Sequence, residues 1–136
     1  MDMNITLICI GKTDEQSLEE LISKYEKRLP NHWNYKRIEI PDIKNRKNLS
    51  ETQQKEKEAE NILAKLDPTD YIVLLDERGK QWNSIQFSSE IQNWMNQSIR
   101  HIVFVIGGPY GFSEQIYKRA NLKLSLSKMT FTHQMI

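Results

Sequence analysis

The chain has 136 residues, of which 38% are hydrophobic and 27% charged, with 5 glycines and 4 prolines. This length leaves room for one hydrophobic core, and the composition is typical of a globular domain rather than a disordered or fibrous chain. A single domain over residues 1–136 is therefore expected. No apolar run approaches the roughly 18 residues of a membrane-spanning helix, and the N-terminus lacks the basic start of a signal peptide, so a cytoplasmic protein is expected.

The net charge of +1 hides an uneven distribution of basic residues. Residues 24–47 contain eight Lys or Arg against three acidic residues, and from residue 118 onward four bases face no acid. Two basic segments favour a phosphate-bearing partner, although solvated helix faces explain them equally well.

The first part of the chain predicts a strand, a helix and a second strand. A β-branched apolar run predicts a strand buried on both faces over 3–10. Apolar residues at helical spacing predict a helix over 15–29, and a strand over 33–40 follows. The lone cysteine, Cys9, lies in the first strand and is interpreted as a small buried hydrophobe rather than a nucleophile.

A basic loop and a charged helix are predicted next. Residues 42–48 are polar and show no periodicity, which is typical of a loop; it is either a phosphate contact or a solvated linker. Ser50 and Gln53 form a capping-box pattern, so a helix is expected to begin there and to run to about Leu66.

The second half predicts a regular alternation of strands and helices. Strands are expected over 71–75, 101–106 and 122–126, with helices capped by Ser84 and Ser113 between them. Another helix is expected to begin at residue 132 or 133. Strands and helices alternating at this spacing predict an α/β fold, a mostly parallel sheet with helices on both faces.

Three segments follow directly after predicted strands and are the candidate binding segments. They are residues 76–80, 107–111 and 125–133. Ligands of such sheets bind beyond the carboxyl ends of the strands. Each segment also has a plain structural explanation: surface ion pairs for the first, a tight glycine turn for the second and helix capping by His133 for the third.

Several familiar chemistries find no support. Gly11-Lys12-Thr13 resembles the end of a phosphate-binding loop, but Thr6 stands where that loop needs its first glycine. Residues 107–111 do not match a dinucleotide fingerprint, and the three histidines are scattered rather than spaced as metal ligands. No metal site is expected, and the residues alone assign no catalytic group.

The ordered set of strand-end motifs does resemble a known family. Leu75-Asp76 with Gly79-Lys80, then residues 106–111, then residues 124–133 resemble the ribosomal RNA large subunit methyltransferase H family, of the trefoil-knotted SPOUT superfamily. Residues 25–29, 38–41 and 55–58 are also similar to the first half of that family, so the resemblance covers essentially the whole chain.

The resemblance implies a function, a cofactor and partners. It implies methyl transfer from S-adenosylmethionine to N3 of a pseudouridine in 23S rRNA of the assembled ribosome, by a homodimer without a metal. The family's cofactor contacts correspond here to Leu75, Gly107, Leu126, Ser127, Lys128, Met129, Thr130 and Phe131. Hypothetical RNA contacts, chosen for their positive charge, are Lys44, Arg46, Lys47, Arg78, Lys80 and Arg119.

The chain departs from the family in two places. Thr132 stands where the family commonly has proline, and family members continue past the position of Ile136 through another helix and a tail. The resemblance therefore implies a domain that is C-terminally short, with the knot incomplete. An alternative is a non-catalytic RNA- or ribosome-binding module of the same fold. A nucleotide-binding α/β protein of other chemistry is ranked last, since no phosphate loop is complete.

Overall fold

The computed structural model describes residues 3–11, 15–43, 46–127, 129 and 136, with only the backbone at residue 46. Its strands are β1 (Met3–Ile10), β2 (Trp33–Ile40), β3 (Tyr71–Gln81), β4 (His101–Ile106) and β5 (Leu122–Ser125). Its helices are α1 (Gln16–Glu26), α2 (Glu51–Leu63), α3 (Ser84–Asn96) and α4 (Glu114–Arg119), with a short 3₁₀ turn at Arg46–Asn48.

The five described strands form one sheet in the order β2-β1-β4-β3-β5, and every neighbouring pair is parallel. The crossovers through α1 and α3 run in one direction along the sheet, and those through α2 and α4 run in the other. Because parallel crossovers are right-handed, opposite directions place the helices on opposite faces. The predicted α/β architecture, with helices on both faces of a parallel sheet, is confirmed.

Two apolar cores flank the sheet. Ile62 of α2 and Ile116 of α4 are buried in one core, and Trp94 of α3 is buried in the other. α1 has no buried residue and contacts the sheet through polar groups, with Glu19 accepting a hydrogen bond from Arg37 of β2. The expected trefoil knot and the helix expected at residue 132 or 133 lie outside the described residues.

The main correction concerns β3, which is longer than the predicted strand over 71–75. β3 continues to Gln81 beside β5, and its register shifts between Leu75 and Lys80, which both pair with Leu124. Gly79 makes the close pairing possible, because a Cβ there would lie 2.5 Å from a backbone carbon of Lys123. Residues 76–80 are therefore a bulged continuation of β3 rather than a loop.

Helix ends differ from the predictions in detail. The capping box of Ser50 and Gln53 is confirmed. α3 is capped by Asn83 rather than Ser84, because the Asn83 side chain accepts from the Gln86 amide at 2.8 Å. Ser113 occupies the N-cap position of α4 without a side-chain capping bond.

The last turns of α1 and α2 are tighter than α-helix. Arg28 N donates to the Tyr25 carbonyl and Leu66 N donates to the Leu63 carbonyl, both i→i+3 bonds. The regular helices therefore end at Glu26 and Leu63 rather than at residues 29 and 66.

Candidate active site

A cleft of about 410 Å³ opens beyond the carboxyl ends of β4 and β5, beside the bulged part of β3. Its lining residues come from all three strands and from the segments that follow β4 and β5. They include Leu75, Asp76, Arg78, Ile106, Gly107, Tyr110, Leu124, Leu126, Ser127 and Met129, with Lys55 from α2. The three candidate segments predicted from the sequence thus meet at one site.

The glycine segment after β4 forms a tight turn at one wall of the cleft. Gly111 N donates to the Gly108 carbonyl at 3.1 Å, and Gly111 has a φ of +79°, a conformation that favours glycine. A Cβ on Gly107 would lie 3.2 Å from the Phe112 ring. Gly107 and Gly108 both line the cleft, so a ligand can approach their backbone closely.

A buried carboxylate lies against the same turn. Glu58 of α2 is 3% exposed, and its Oε2 accepts a hydrogen bond of 3.3 Å from Gln54. A Cβ on Gly108 would lie 2.6 Å from that oxygen, so the glycine backbone packs directly on the carboxylate. α2 therefore fixes the height of the glycine turn.

Asp76 is held at the opposite wall by two hydrogen bonds. Its Oδ1 accepts from the Arg78 amide at 2.9 Å, and its Oδ2 accepts from the hydroxyl of Tyr117 in α4. Burial, and secondly the bond to Asp76, raise the pKa of Tyr117 to about 12. Tyr117 therefore remains a hydrogen-bond donor at neutral pH, and the Asp76 carboxylate is fixed in orientation.

Sequence reasoning assigned no site role to Tyr117 or Glu58. Tyr117 meets Asp76 across 41 positions of sequence. Glu58 belonged to a charged helix with no feature that marks a buried carboxylate. No local signal identifies either contact, because each depends on how distant elements pack.

Five of the eight cofactor contacts implied by the resemblance line the cleft. They are Leu75, Gly107, Leu126, Ser127 and Met129. The segment after β5 is shaped by local bonds, since Ser125 Oγ donates to the Ser127 carbonyl and Ser127 Oγ accepts from the Met129 amide. The other three, Lys128, Thr130 and Phe131, lie outside the described residues.

The described candidates for RNA contact lie on different elements of the fold. Arg78 lines the cleft, and Lys80 is exposed on the outer part of β3. Lys47 is exposed in the 3₁₀ turn. Arg119 donates to the carbonyls of Asp67 and Asp70, so its guanidinium holds a loop of the fold. Lys44 and the side chain of Arg46 lie outside the described residues.

A second polar network lies at the amino end of the sheet. His101 bonds through Nδ1 to Asp70 at 2.8 Å and through Nε2 to Thr6 at 2.7 Å. Thr6 is 2% exposed, and its hydroxyl is engaged by the His101 ring. The three side chains form a hydrogen-bond network that links β1, β4 and the residue before β3.

Within the described ranges, no three His, Cys, Asp or Glu side chains are grouped so that they could hold a metal ion. Burial raises the pKa of the Cys9 thiol to about 11, so it is protonated and unreactive at neutral pH.

Of the described helices, none combines the length and apolar character needed to span a bilayer.

Comparison with known proteins identifies the family. The model of the family described as "Predicted SPOUT methyltransferase" matches residues 3–136. The chain is 60% identical to ribosomal RNA large subunit methyltransferase H of Flavobacterium johnsoniae, over 98% of this chain and 85% of that protein. It is 58% and 57% identical, with the same coverage, to the proteins of that name from Flavobacterium psychrophilum and Parabacteroides distasonis. The chain therefore belongs to the SPOUT methyltransferases and, among them, to the ribosomal RNA large subunit methyltransferase H family.

Proposed function

We propose that this rRNA methyltransferase transfers the methyl group of S-adenosylmethionine to N3 of a pseudouridine in 23S rRNA of the assembled ribosome. The observation that supports the proposal is the cleft beyond the carboxyl ends of β4 and β5, beside the bulged part of β3. Its volume falls in the range of about 300–1,000 Å³ typical of small-molecule sites. A parallel sheet binds its ligands at this end.

The residues of the cleft fit a nucleoside-containing methyl donor. Gly107 offers bare backbone to the cleft, and a side chain there would press on Phe112. Leu75, Gly107 and residues 126–131 would hold the cofactor, with apolar contacts from Leu126 and Met129. When bound, S-adenosylmethionine supplies a methyl group already activated by its sulfonium. The chain's own task is to align the acceptor and exclude water.

The acceptor nitrogen must lose its proton, and cationic groups near it favour the resulting anion. Arg78 and Lys55 line the cleft and provide positive charge there. RNA phosphates are the other partner of such side chains. Lys44, Arg46, Lys47, Lys80 and Arg119 remain proposed RNA contacts, of which Arg119 is already engaged with backbone carbonyls.

Calorimetric titration with S-adenosylmethionine tests the cofactor. The full chain is expected to bind one molecule of S-adenosylmethionine per chain. Gly107→Val is expected to abolish binding, because its side chain would occupy the part of the cleft between Gly107 and Phe112. Lys36→Ala, at the amino end of the sheet, is the matched control and is expected to bind normally. If the wild-type chain binds ribosomal RNA with strong salt dependence but ignores the cofactor, the protein is an RNA-binding module instead.

The site of methylation is tested on ribosomes. We expect the enzyme to transfer labelled methyl groups to 23S rRNA of unmodified ribosomes. A methyl group on N3 blocks the Watson–Crick edge, so reverse transcription is expected to stop at one new position. Labelling without such a stop would mean that a different atom is methylated.

We also propose that the enzyme is a cytoplasmic homodimer. The support from the structure is α1, on which no residue is buried and on which Leu21 and Tyr25 are 47% and 58% exposed. An exposed apolar stripe of this kind is typical of a surface that another chain covers.

A further inference from the structure

Tyr110 is an exposed aromatic residue at the mouth of the cleft. The bond from Gly111 N to the Gly108 carbonyl makes Pro109 and Tyr110 the central pair of a four-residue turn. The Tyr110 side chain lines the cleft, and the residue is 45% exposed. It belongs to neither apolar core of the described residues, so packing does not account for an aromatic residue here.

The turn that presents this ring is fixed from below. Gly108 packs on the buried carboxylate of Glu58, and Gly107 packs on Phe112. Proline at position 109 further restricts the backbone. The ring is therefore displayed from a preorganised support, which lowers the entropy lost when a ligand binds to it.

The same opening is lined by two basic and two acidic side chains, the acidic ones being Asp76 and Glu77. Lys55 of α2 and Arg78 of β3 line the cleft together with Tyr110. Aromatic rings set among basic side chains are typical of surfaces that bind unpaired nucleotides, where the ring stacks on a base and the cations meet phosphates. An enzyme that modifies the edge of a base must also take that base out of its stack.

We propose that the Tyr110 ring is the stacking platform on which the target pyrimidine, or the unpaired base next to it, rests during methyl transfer. The inference rests on the proposed function in one respect, that this cleft holds the methyl donor. Tyr110 is thus a positioning residue for the RNA, and its contribution comes from the ring face rather than the hydroxyl.

Steady-state kinetics on unmodified ribosomes, with saturating S-adenosylmethionine, test this role. Removal of the platform in Tyr110→Ala is expected to raise the KM for ribosomes at least about fivefold, as expected for the loss of one base-stacking contact. Tyr110→Phe and Tyr110→Trp keep a ring face, and their KM is expected to stay within about twofold of the wild type. Ile85→Ala, at an apolar residue 79% exposed on α3 and outside the cleft lining, is the control and is expected to change nothing.

Cofactor affinity, measured by calorimetry on each variant, separates the two hypotheses. If the wild type itself fails to bind S-adenosylmethionine, the proposed function is wrong at its first step and the stacking role falls with it. Where the wild type binds, an unchanged KM in Tyr110→Ala overturns the stacking role. A Tyr110→Phe enzyme as defective as Tyr110→Ala overturns it too, as does a parallel loss of cofactor affinity in Tyr110→Ala.

Discussion

A single hydroxyl, that of Tyr117, ties α4 to the wall of the cleft through Asp76. The pKa of Tyr117 is about 12 in the folded protein and about 10 in an unfolded chain. Since the folded value is the higher one, the stability that this phenol contributes is complete below about pH 10 and is lost between about pH 10 and 12. Tyr117→Phe is expected to lower the free energy of unfolding by about 1 kcal/mol near neutral pH and by less at about pH 11.

Urea denaturation of wild type and Tyr117→Phe at the two pH values measures this difference. Tyr110→Phe removes a hydroxyl from a ring that is 45% exposed and is the matched control. An equal loss of stability at both pH values would show that the hydroxyl of Tyr117 does not contribute in this way.

The stability of the fold also depends on the partners of the Asp70 carboxylate, because the Asp70 side chain is only 3% exposed. His101 provides one hydrogen bond and the Asp67 amide provides another. We expect His101→Ala to lower the free energy of unfolding by about 1–3 kcal/mol, since a buried acceptor then loses a partner. Thermal or urea unfolding measures the loss.

Asn34→Ala is the control for the same region of the sheet. It removes an exposed hydrogen bond to Asn4, and a change within about 0.5 kcal/mol is expected. A His101→Ala protein as stable as this control would mean that Asp70 is satisfied without the imidazole.

At the scale of elements, the bulged pairing of β3 with β5 depends on Gly79. A Cβ at this position would lie 2.5 Å from the Lys123 backbone, which cannot move without separating the strands. Gly79→Ala is therefore expected to cost about 1–3 kcal/mol of stability, the usual range for overpacking. Lys80→Ala, at the exposed next residue, is expected to be nearly neutral in the same unfolding experiment, and equal effects of the two changes would refute the steric argument.

The same elements show what sequence can and cannot predict. The bounds of β1, β2 and β4 were predicted correctly. Each is an apolar or alternating run that is followed directly by a glycine or a proline. The extension of β3 was missed, since residues 76–80 are charged and become strand only through pairing with β5. The choice between Asn83 and Ser84 as cap was also missed, because both residue types favour that position.

The residues of the candidate site also fall into a group that the sequence predicts and a group that it does not. The rule that ligands bind at the carboxyl ends of parallel strands selected residues 76–80, 107–111 and 125–133, and residues from all three segments line the cleft. Glu58 and Tyr117 could not be found in this way, since a buried carboxylate and a phenol donor are defined by their distant partners. Sequence order thus predicts where a site lies better than it predicts what supports it.

For the whole molecule, the decisive measurement is the mass in solution. We expect sedimentation to give twice the mass of one chain, with Leu21→Glu on α1 shifting the protein to monomer because a charge replaces an apolar contact. Ile85→Glu on α3 changes an even more exposed apolar residue and is expected to leave the dimer intact. Dissociation by Ile85→Glu alone would move the interface to α3, and a wild-type monomer would refute the dimer.

The contact between Glu58 and Gly108 has a consequence for the evolution of the enzyme. A Cβ added at position 108 would lie 2.6 Å from a Glu58 carboxylate oxygen, so the Glu58 side chain has to shift to make room for it. A shorter residue at position 58 makes room for alanine at position 108, whereas glutamate at 58 favours glycine at 108. The two positions are therefore expected to change together, although 50 residues and two strands separate them in the chain.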